Sequence, residues 1–178
     1  MIKYLKKTDP KRLVHCEDAS RGSMRYPEFY ERPDMYSRMY PPIDMRRDEV
    51  DYELIEEYAL NKNKPLPYFM CEYAHAMGNS MGGLKEYWDL VRKYPVYQGG
   101  FIWDFVDQAL RWPVDPQKYG TDHVFAFGGD FNDYDPSDNS FCCNGIIAAD
   151  RSYHPHAYEV AYQYRSILTS ATREEALS

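Results

Sequence analysis

At 178 residues the chain is long enough for one domain with a real core. Its net charge of -7 argues against nucleic acid or an anionic membrane as partner, because both reward clustered Lys and Arg. No apolar run approaches the ~20 residues of a membrane span and no signal-peptide pattern is visible, so the expectation is a soluble, cytoplasmic protein.

Aromatic residues stand out: 18 Tyr, 8 Phe and 3 Trp make 16% of the chain. A tyrosine offers an apolar ring with a polar tip, which suits a sugar that has both a C–H face and hydroxyls. Tyr-rich packing beneath a polar surface accounts equally well for the same composition. Cys16, Cys71, Cys142 and Cys143 form no CxxC pair and no regular framework, which predicts a reduced compartment and no disulfide scaffold.

In chain order, "RLVHCED" (12–18) predicts a strand after the turn signal Asp9-Pro10, and a second extended piece ends near "PDMYSR" (33–38). Val50, Leu54, Ile55 and Tyr58 share one face of a helix starting at about Asp48, and "PYFMC" (67–71) reads as a buried strand. Ser80 is a candidate cap for the next helix, where Leu84, Tyr87, Trp88 and Val91 recur at helical spacing. "VYQGGFIWDFV" (96–106) follows as a strand, and Gly128 to Asn144 as a long polar loop. Ala157, Val160, Ala161, Tyr164 and Leu168 mark a last helix opened by Pro155, and residues 169–178 read as a tail or linker. Strands alternating with helices predict an α/β fold of parallel βα units.

The run "PYFMCEYAHAMGNS" (67–80) ends an apolar strand in a carboxylate, Glu72, with His75 close behind. An unpaired buried carboxylate is costly, so a residue placed there needs a reason. In parallel βα folds functional groups lie at the carboxyl ends of strands, which marks Glu72 and, on adjacent strands, Tyr36, Trp103 and Asp104. A second Met-Tyr pair, Met39-Tyr40, follows the one containing Tyr36. Glu17 also ends a predicted strand and is a weaker rival for a place in the site. The "HPH" of residues 154–156 lacks a Cys partner at ligand spacing and reads as a helix start. "DFNDYDPSD" lacks the glycine and glutamate of a calcium loop and reads as solvated, and Cys142 and Cys143 read as small apolar residues.

The segments "CEYAHAMGNSMGG", "QGGFIWDFVDQ", "GGDFNDYDPSDNSFCCNG" and "ADRSYHP" closely resemble the large bacterial β-galactosidases of the lactose-operon type in glycoside hydrolase family 2. The resemblance implies a (β/α)8 TIM barrel, here its later half, strands five to eight with their helices, over residues 1–168. It implies retaining hydrolysis of terminal β-galactosides, with Glu72 as nucleophile and Tyr36 as the residue that hydrogen-bonds it. His75 and Trp103 match residues lining the galactose site. Phe141, through its carbonyl, and Asn144, through its side chain, match a partial sodium site beside the sugar 6-hydroxyl. The family's general acid/base lies in an "NE" motif that has no counterpart in this sequence. Its magnesium ligands and the aspartate completing the sodium site are missing likewise. The resemblance therefore implies a fragment of a longer, homo-oligomeric enzyme that lacks the earlier half of its barrel. A catalytically silent fragment, or a sugar-binding or interaction module needing complementation, stays open as the alternative, as do β-glucuronide and β-mannoside substrates.

Overall fold

The structure is a computed structural model that describes residues 1–43, 54–63 and 66–170. Elements are numbered in chain order. Three short strands, β1 (Tyr36–Met39), β2 (Tyr68–Tyr73) and β3 (Tyr97–Ile102), form a parallel sheet in the order β1-β2-β3. Parallel neighbours need a crossover, and two helices supply it: α3 (Ile55–Leu60) between β1 and β2, and α4 (Leu84–Lys93) between β2 and β3. Ahead of the sheet lie α1 (Ile2–Thr8) and α2 (Glu17–Arg25), and α6 (Pro155–Tyr164) closes the described chain.

Side chains of one sheet face point at the helices. Tyr36, Tyr68, Met70 and Tyr97 bury there against Ile55 and Tyr58 of α3, Leu84 of α4 and Val160 of α6. The tyrosines stack in a row, with ring centroids 4.6 Å apart for Tyr36–Tyr58, 4.8 Å for Tyr58–Tyr68 and 5.2 Å for Tyr68–Tyr97. Each such pair contributes about 0.5–1.5 kcal/mol beyond burial, so part of the unusual tyrosine content is core. The other face carries Ser37, Phe69, Cys71 and Phe101, the last well exposed.

The pairing contains one irregularity that matters below. Arg38 pairs with Met70 but Met39 pairs with Glu72, so β2 holds one extra residue at Cys71. This bulge explains why Met70 and Tyr73, three apart, both enter the helix-side core. Cys71 and Glu72 between them are left to the opposite side, where the Cys71 thiol bonds Ser37.

Several expectations change. Residues 12–16 form no strand; Val14 bonds the Asp34 carboxylate and main-chain N–H instead of a neighbouring ladder, and Glu17 already opens α2. The residue capping α4 is Gly83, at a φ of +68° that glycine adopts at little cost, while Ser80 Oγ donates to the carbonyls of His75 and Met77, each at 2.6 Å. Leu168 lies beyond α6. The expected start near Asp48 and Val50 falls outside the described residues, as does the end of the tail from residue 171. An antiparallel hairpin, β4 (Leu110–Pro113) and β5 (His123–Ala126) with the short α5 (Pro116–Tyr119) between, was not foreseen. The loop from Gly128 contains two 3-10 turns, Gly128–Asp130 and Asn139–Cys142. Among the described residues no helix is long and apolar enough to cross a membrane.

Candidate functional site

The carboxyl ends of the three parallel strands lie side by side. Tyr40 N–H donates to the Glu72 carbonyl at 2.8 Å, Trp103 N–H to the Tyr73 carbonyl at 3.0 Å, and Ala76 N–H to the Trp103 carbonyl at 2.9 Å. The loop after the hairpin joins this edge through Asp104 N–H, which donates to the Asn144 carbonyl at 2.8 Å, and through the Phe141 ring, stacked on His75 with centroids 5.4 Å apart. Glu72, His75, Trp103, Phe141 and Asn144 therefore meet at one edge of the sheet.

Tyr36 does not belong to this group. It starts β1 opposite Tyr68, four residues before the level of Glu72, or ~13 Å at the usual strand rise, and it is packed in the helix-side core. The tyrosine that reaches Glu72 is Tyr40, whose hydroxyl donates to the Glu72 carboxylate. Burial, then the neighbouring negative charge of Glu72, pushes the phenol far above its usual range, so it remains a donor at any physiological pH. The legible signal was Pro41-Pro42: prolines cannot continue a ladder, so β1 must end at the second Met-Tyr pair. Tyr40 and Ala74 take positive φ values of 47° and 48°, conformations that cost about 1–3 kcal/mol each and commonly mark functional sites.

Among the described residues, two buried polar atoms at this edge have no hydrogen-bond partner, His75 Nε2 and Asn144 Oδ1. Asn144 is only 2% exposed, and its Nδ2 donates to the Phe141 carbonyl at 2.7 Å. Leaving such atoms unsatisfied costs about 1–3 kcal/mol each, which a ligand supplying hydroxyls or a cation would recover. Trp103, 38% exposed at the end of β3, presents ring surface next to them.

The other carboxylates are committed elsewhere. Asp104 accepts from Val106 N–H at 3.0 Å and Gln108 Nε2 at 2.9 Å, holding its own turn. Glu17 pairs with the buried Arg38 guanidinium at 3.6 Å. Burial, with the charges of Glu17 and Glu72 adding, raises the Cys71 thiol, which keeps it protonated and unreactive.

The "HPH" residues support the loop. His154 Nε2 bonds Asp107 at 2.7 Å, Asp107 accepts from Gly145 N–H at 2.8 Å, and His156 Nε2 meets the Gly145 carbonyl at 3.0 Å. A Cβ at Gly145 would lie 2.2 Å from the Asp107 nitrogen, so only glycine lets the two segments approach and hold Asn144 in place. Asp107 was not singled out from the sequence, since nothing in "WDFVDQ" distinguishes it from an exposed polar residue.

Chemically, the edge offers one oriented carboxylate, an aromatic platform and two open hydrogen-bonding positions. That set is chemically suited to holding a polyol and to attack on an electrophilic carbon.

Residues 1–169 match the family described as "Glycosyl hydrolases family 2, TIM barrel domain". The chain is 46% identical over 176 residues to a protein named beta-galactosidase from Halalkalibacterium halodurans, an alignment covering 98% of this chain and 15% of that one. It is 47% identical over 167 residues to a beta-galactosidase from Clostridium acetobutylicum, covering 94% and 16%. Against a beta-galactosidase from Alteromonas mediterranea it is 37% identical over 179 residues, covering 98% and 16%. The chain thus spans about 15% of the length of the curated relatives it matches. On the match across nearly its whole length, the chain belongs to glycosyl hydrolase family 2, within that family's TIM-barrel domain.

Proposed function

We propose that the chain forms part of the later half of a family 2 barrel that hydrolyses terminal β-galactosides with retention, its three parallel strands among that half's strands, and that Glu72 is its nucleophile. The observation that carries this reading is the Glu72 carboxylate at a strand's carboxyl end, hydrogen-bonded by Tyr40 and flanked by His75 and Trp103. The galactoside rests on the names of the relatives.

In the reaction a Glu72 oxygen attacks the anomeric carbon, the glycosidic C–O bond breaks, and the leaving oxygen takes a proton from a general acid. The resulting ester is hydrolysed by water, the acid now acting as base, and configuration is retained. Tyr40 holds the carboxylate ionised and aimed. The Trp103 ring stacks on the sugar's C–H face, and His75 Nε2 bonds a hydroxyl. Retaining chemistry needs a second carboxyl group about 5 Å from the first. The family resemblance places that group in an "NE" motif that this sequence lacks, and Asp104 and Glu17, the two other carboxylates considered for the site, are engaged in other bonds.

The residues present fit part of a sodium site. The carbonyl of Phe141 and Oδ1 of Asn144 are hard oxygen donors, and the Oδ1 is buried without a partner. Phe141 and Asn144 would hold a sodium ion there, and its positive charge would help to orient a sugar hydroxyl. With Asp104 and Glu17 bonded elsewhere, Glu72 is the one carboxylate identified at this edge among the described residues, which favours a second reading of the 178-residue chain taken alone: sugar binding without turnover. The test is Glu72→Gln in the full-length polypeptide, assayed on β-galactosides, β-glucuronides and β-mannosides. Turnover of the preferred galactoside should fall by at least about 10³-fold with sugar binding preserved. Turnover within about tenfold of wild type would sink the assignment.

A further inference from the structure

Helix α4 carries two adjacent aromatic residues, Tyr87 and Trp88, that hold Pro41 and Tyr73, the residues directly after Tyr40 and Glu72. Trp88 Nε1–H donates to the Tyr73 hydroxyl at 3.0 Å, and that hydroxyl shares a 2.7 Å hydrogen bond with the Tyr164 hydroxyl of α6. The rings of Trp88 and Tyr164 lie 4.6 Å apart. Tyr87 meets the Tyr73 ring edge-on at 5.3 Å, and its own hydroxyl donates to the Pro41 carbonyl at 2.9 Å.

The anchored positions are what give this network a role. Tyr73, fully buried, directly follows Glu72 and closes the bulge that turns Glu72 away from the core. Pro41 directly follows Tyr40. The Tyr73 carbonyl also accepts from Trp103 N–H, so the same residue ties the nucleophile's strand to the strand bearing the aromatic platform. A bulge without such an anchor relaxes toward the regular pleat, and a one-residue shift moves a side chain to the other face of a sheet.

Resting on Glu72 as the nucleophile, we infer that Tyr73 and Tyr87 are positioning residues. The Tyr73 hydroxyl, held by Trp88 and Tyr164, locks the Cys71 bulge, and the Tyr87 hydroxyl locks the turn after β1, so that Glu72 and Tyr40 meet in attacking geometry. Neither touches the sugar. Ordinary helix-to-sheet packing would use the same contacts, and the two roles separate in kinetics. A packing role lowers thermal stability and leaves the folded enzyme's chemistry alone. A positioning role slows formation of the glycosyl ester and leaves ground-state binding intact.

The experiment uses the full-length polypeptide with Tyr73→Phe, Tyr164→Phe, Tyr87→Phe and the Tyr73→Phe/Tyr164→Phe double variant. The readouts are the limiting rate of inactivation by an activated 2-fluoro-galactoside, the inhibition constant of a non-hydrolysable thiogalactoside, and Tm. Tyr73→Phe should slow inactivation by about tenfold while the thiogalactoside constant stays within about twofold. The double variant should be no slower than Tyr73→Phe alone, because both changes remove the same bond. Tyr164→Phe keeps the Trp88–Tyr73 bond and provides the reading if Tyr73→Phe does not fold; it should slow inactivation by at least about threefold. Wild-type inactivation rates in the folded single variants overturn the proposal, as do equal losses in inactivation and thiogalactoside binding. Glu72→Gln run in parallel separates the failures: if it is still inactivated, the nucleophile assignment falls and takes the proposal with it. If it is inert while the tyrosine variants react normally, only the positioning role falls.

Discussion

Replacing Tyr40 by phenylalanine in the full-length polypeptide removes one oxygen and little else. The ring keeps its place beside His75, with centroids 6.2 Å apart, and the backbone bond from Tyr40 N–H to the Glu72 carbonyl at 2.8 Å does not involve the side chain. What is lost is the hydrogen bond from a half-buried phenol to an ionised carboxylate. Such charge-assisted bonds contribute about 1.5–3 kcal/mol. If the bond serves mainly to hold Glu72 in attacking geometry, that range converts to a fall in kcat of roughly 10- to 150-fold. The assay is steady-state hydrolysis of an aryl β-galactoside, with thiogalactoside inhibition as the measure of ground-state binding, which should be unchanged. Tyr36→Phe is the internal control: at the far end of β1 it should leave kcat within about twofold. A Tyr40→Phe enzyme with near-normal kcat beside a Tyr36→Phe enzyme crippled by tenfold or more would refute the strand-end geometry derived above.

Trp103→Ala removes the exposed ring at the end of β3 and should weaken thiogalactoside binding by roughly 2- to 15-fold, read as its inhibition constant, with Tm nearly unchanged. Gly145→Ala forces a methyl group against the Asp107 backbone and must displace the loop bearing Asn144; Tm should drop, for a penalty of about 1–3 kcal/mol, and the dependence of KM on sodium should weaken together with it. Burial pushes the His15 imidazole below its usual range, so as pH falls through about 6.5 the unfolded chain takes up the proton first and stability declines. Denaturant titrations from pH 8 to 5 should show His15→Gln losing less stability over that window than wild type, and parallel curves would contradict the burial of a neutral ring.

What the sequence made legible follows from how much each signal depends on distant partners. Glu72 stood out because an apolar strand that stops at a carboxylate is unusual in itself, and Trp103 by its place at a strand end, whereas the roles of His75, Phe141 and Asn144 came from the resemblance of their segments to the family. The tyrosine beside Glu72 could not be chosen by pattern alone: Met35-Tyr36 and Met39-Tyr40 are identical pairs four residues apart, and strand periodicity does not say where a strand ends. The prolines at 41 and 42 carried that information, as an end-of-ladder signal. Residues 12–16 have strand-like composition, but their partner is the Asp34 side chain, a tertiary contact invisible to local propensity. The β4–β5 hairpin was missed because Leu110, Trp112 and Val124 are exposed and alternate with no buried face. The bulge at Cys71 leaves no local signature, since neither glycine nor proline marks it; it exists because Met70 and Tyr73 both find core partners.

Trapping the covalent intermediate tests the role of Glu72 most directly. The full-length polypeptide would be treated with an activated 2-fluoro-galactoside, digested, and the labelled peptide sequenced by mass spectrometry. The expected result is a single added fluoro-galactosyl group per chain, on Glu72 within "CEYAHAM", formed at the rate at which activity is lost and absent from Glu72→Gln. Label on Glu17, Asp104 or a residue outside this chain, with Glu72 unmodified and activity gone, would contradict the assignment of the nucleophile.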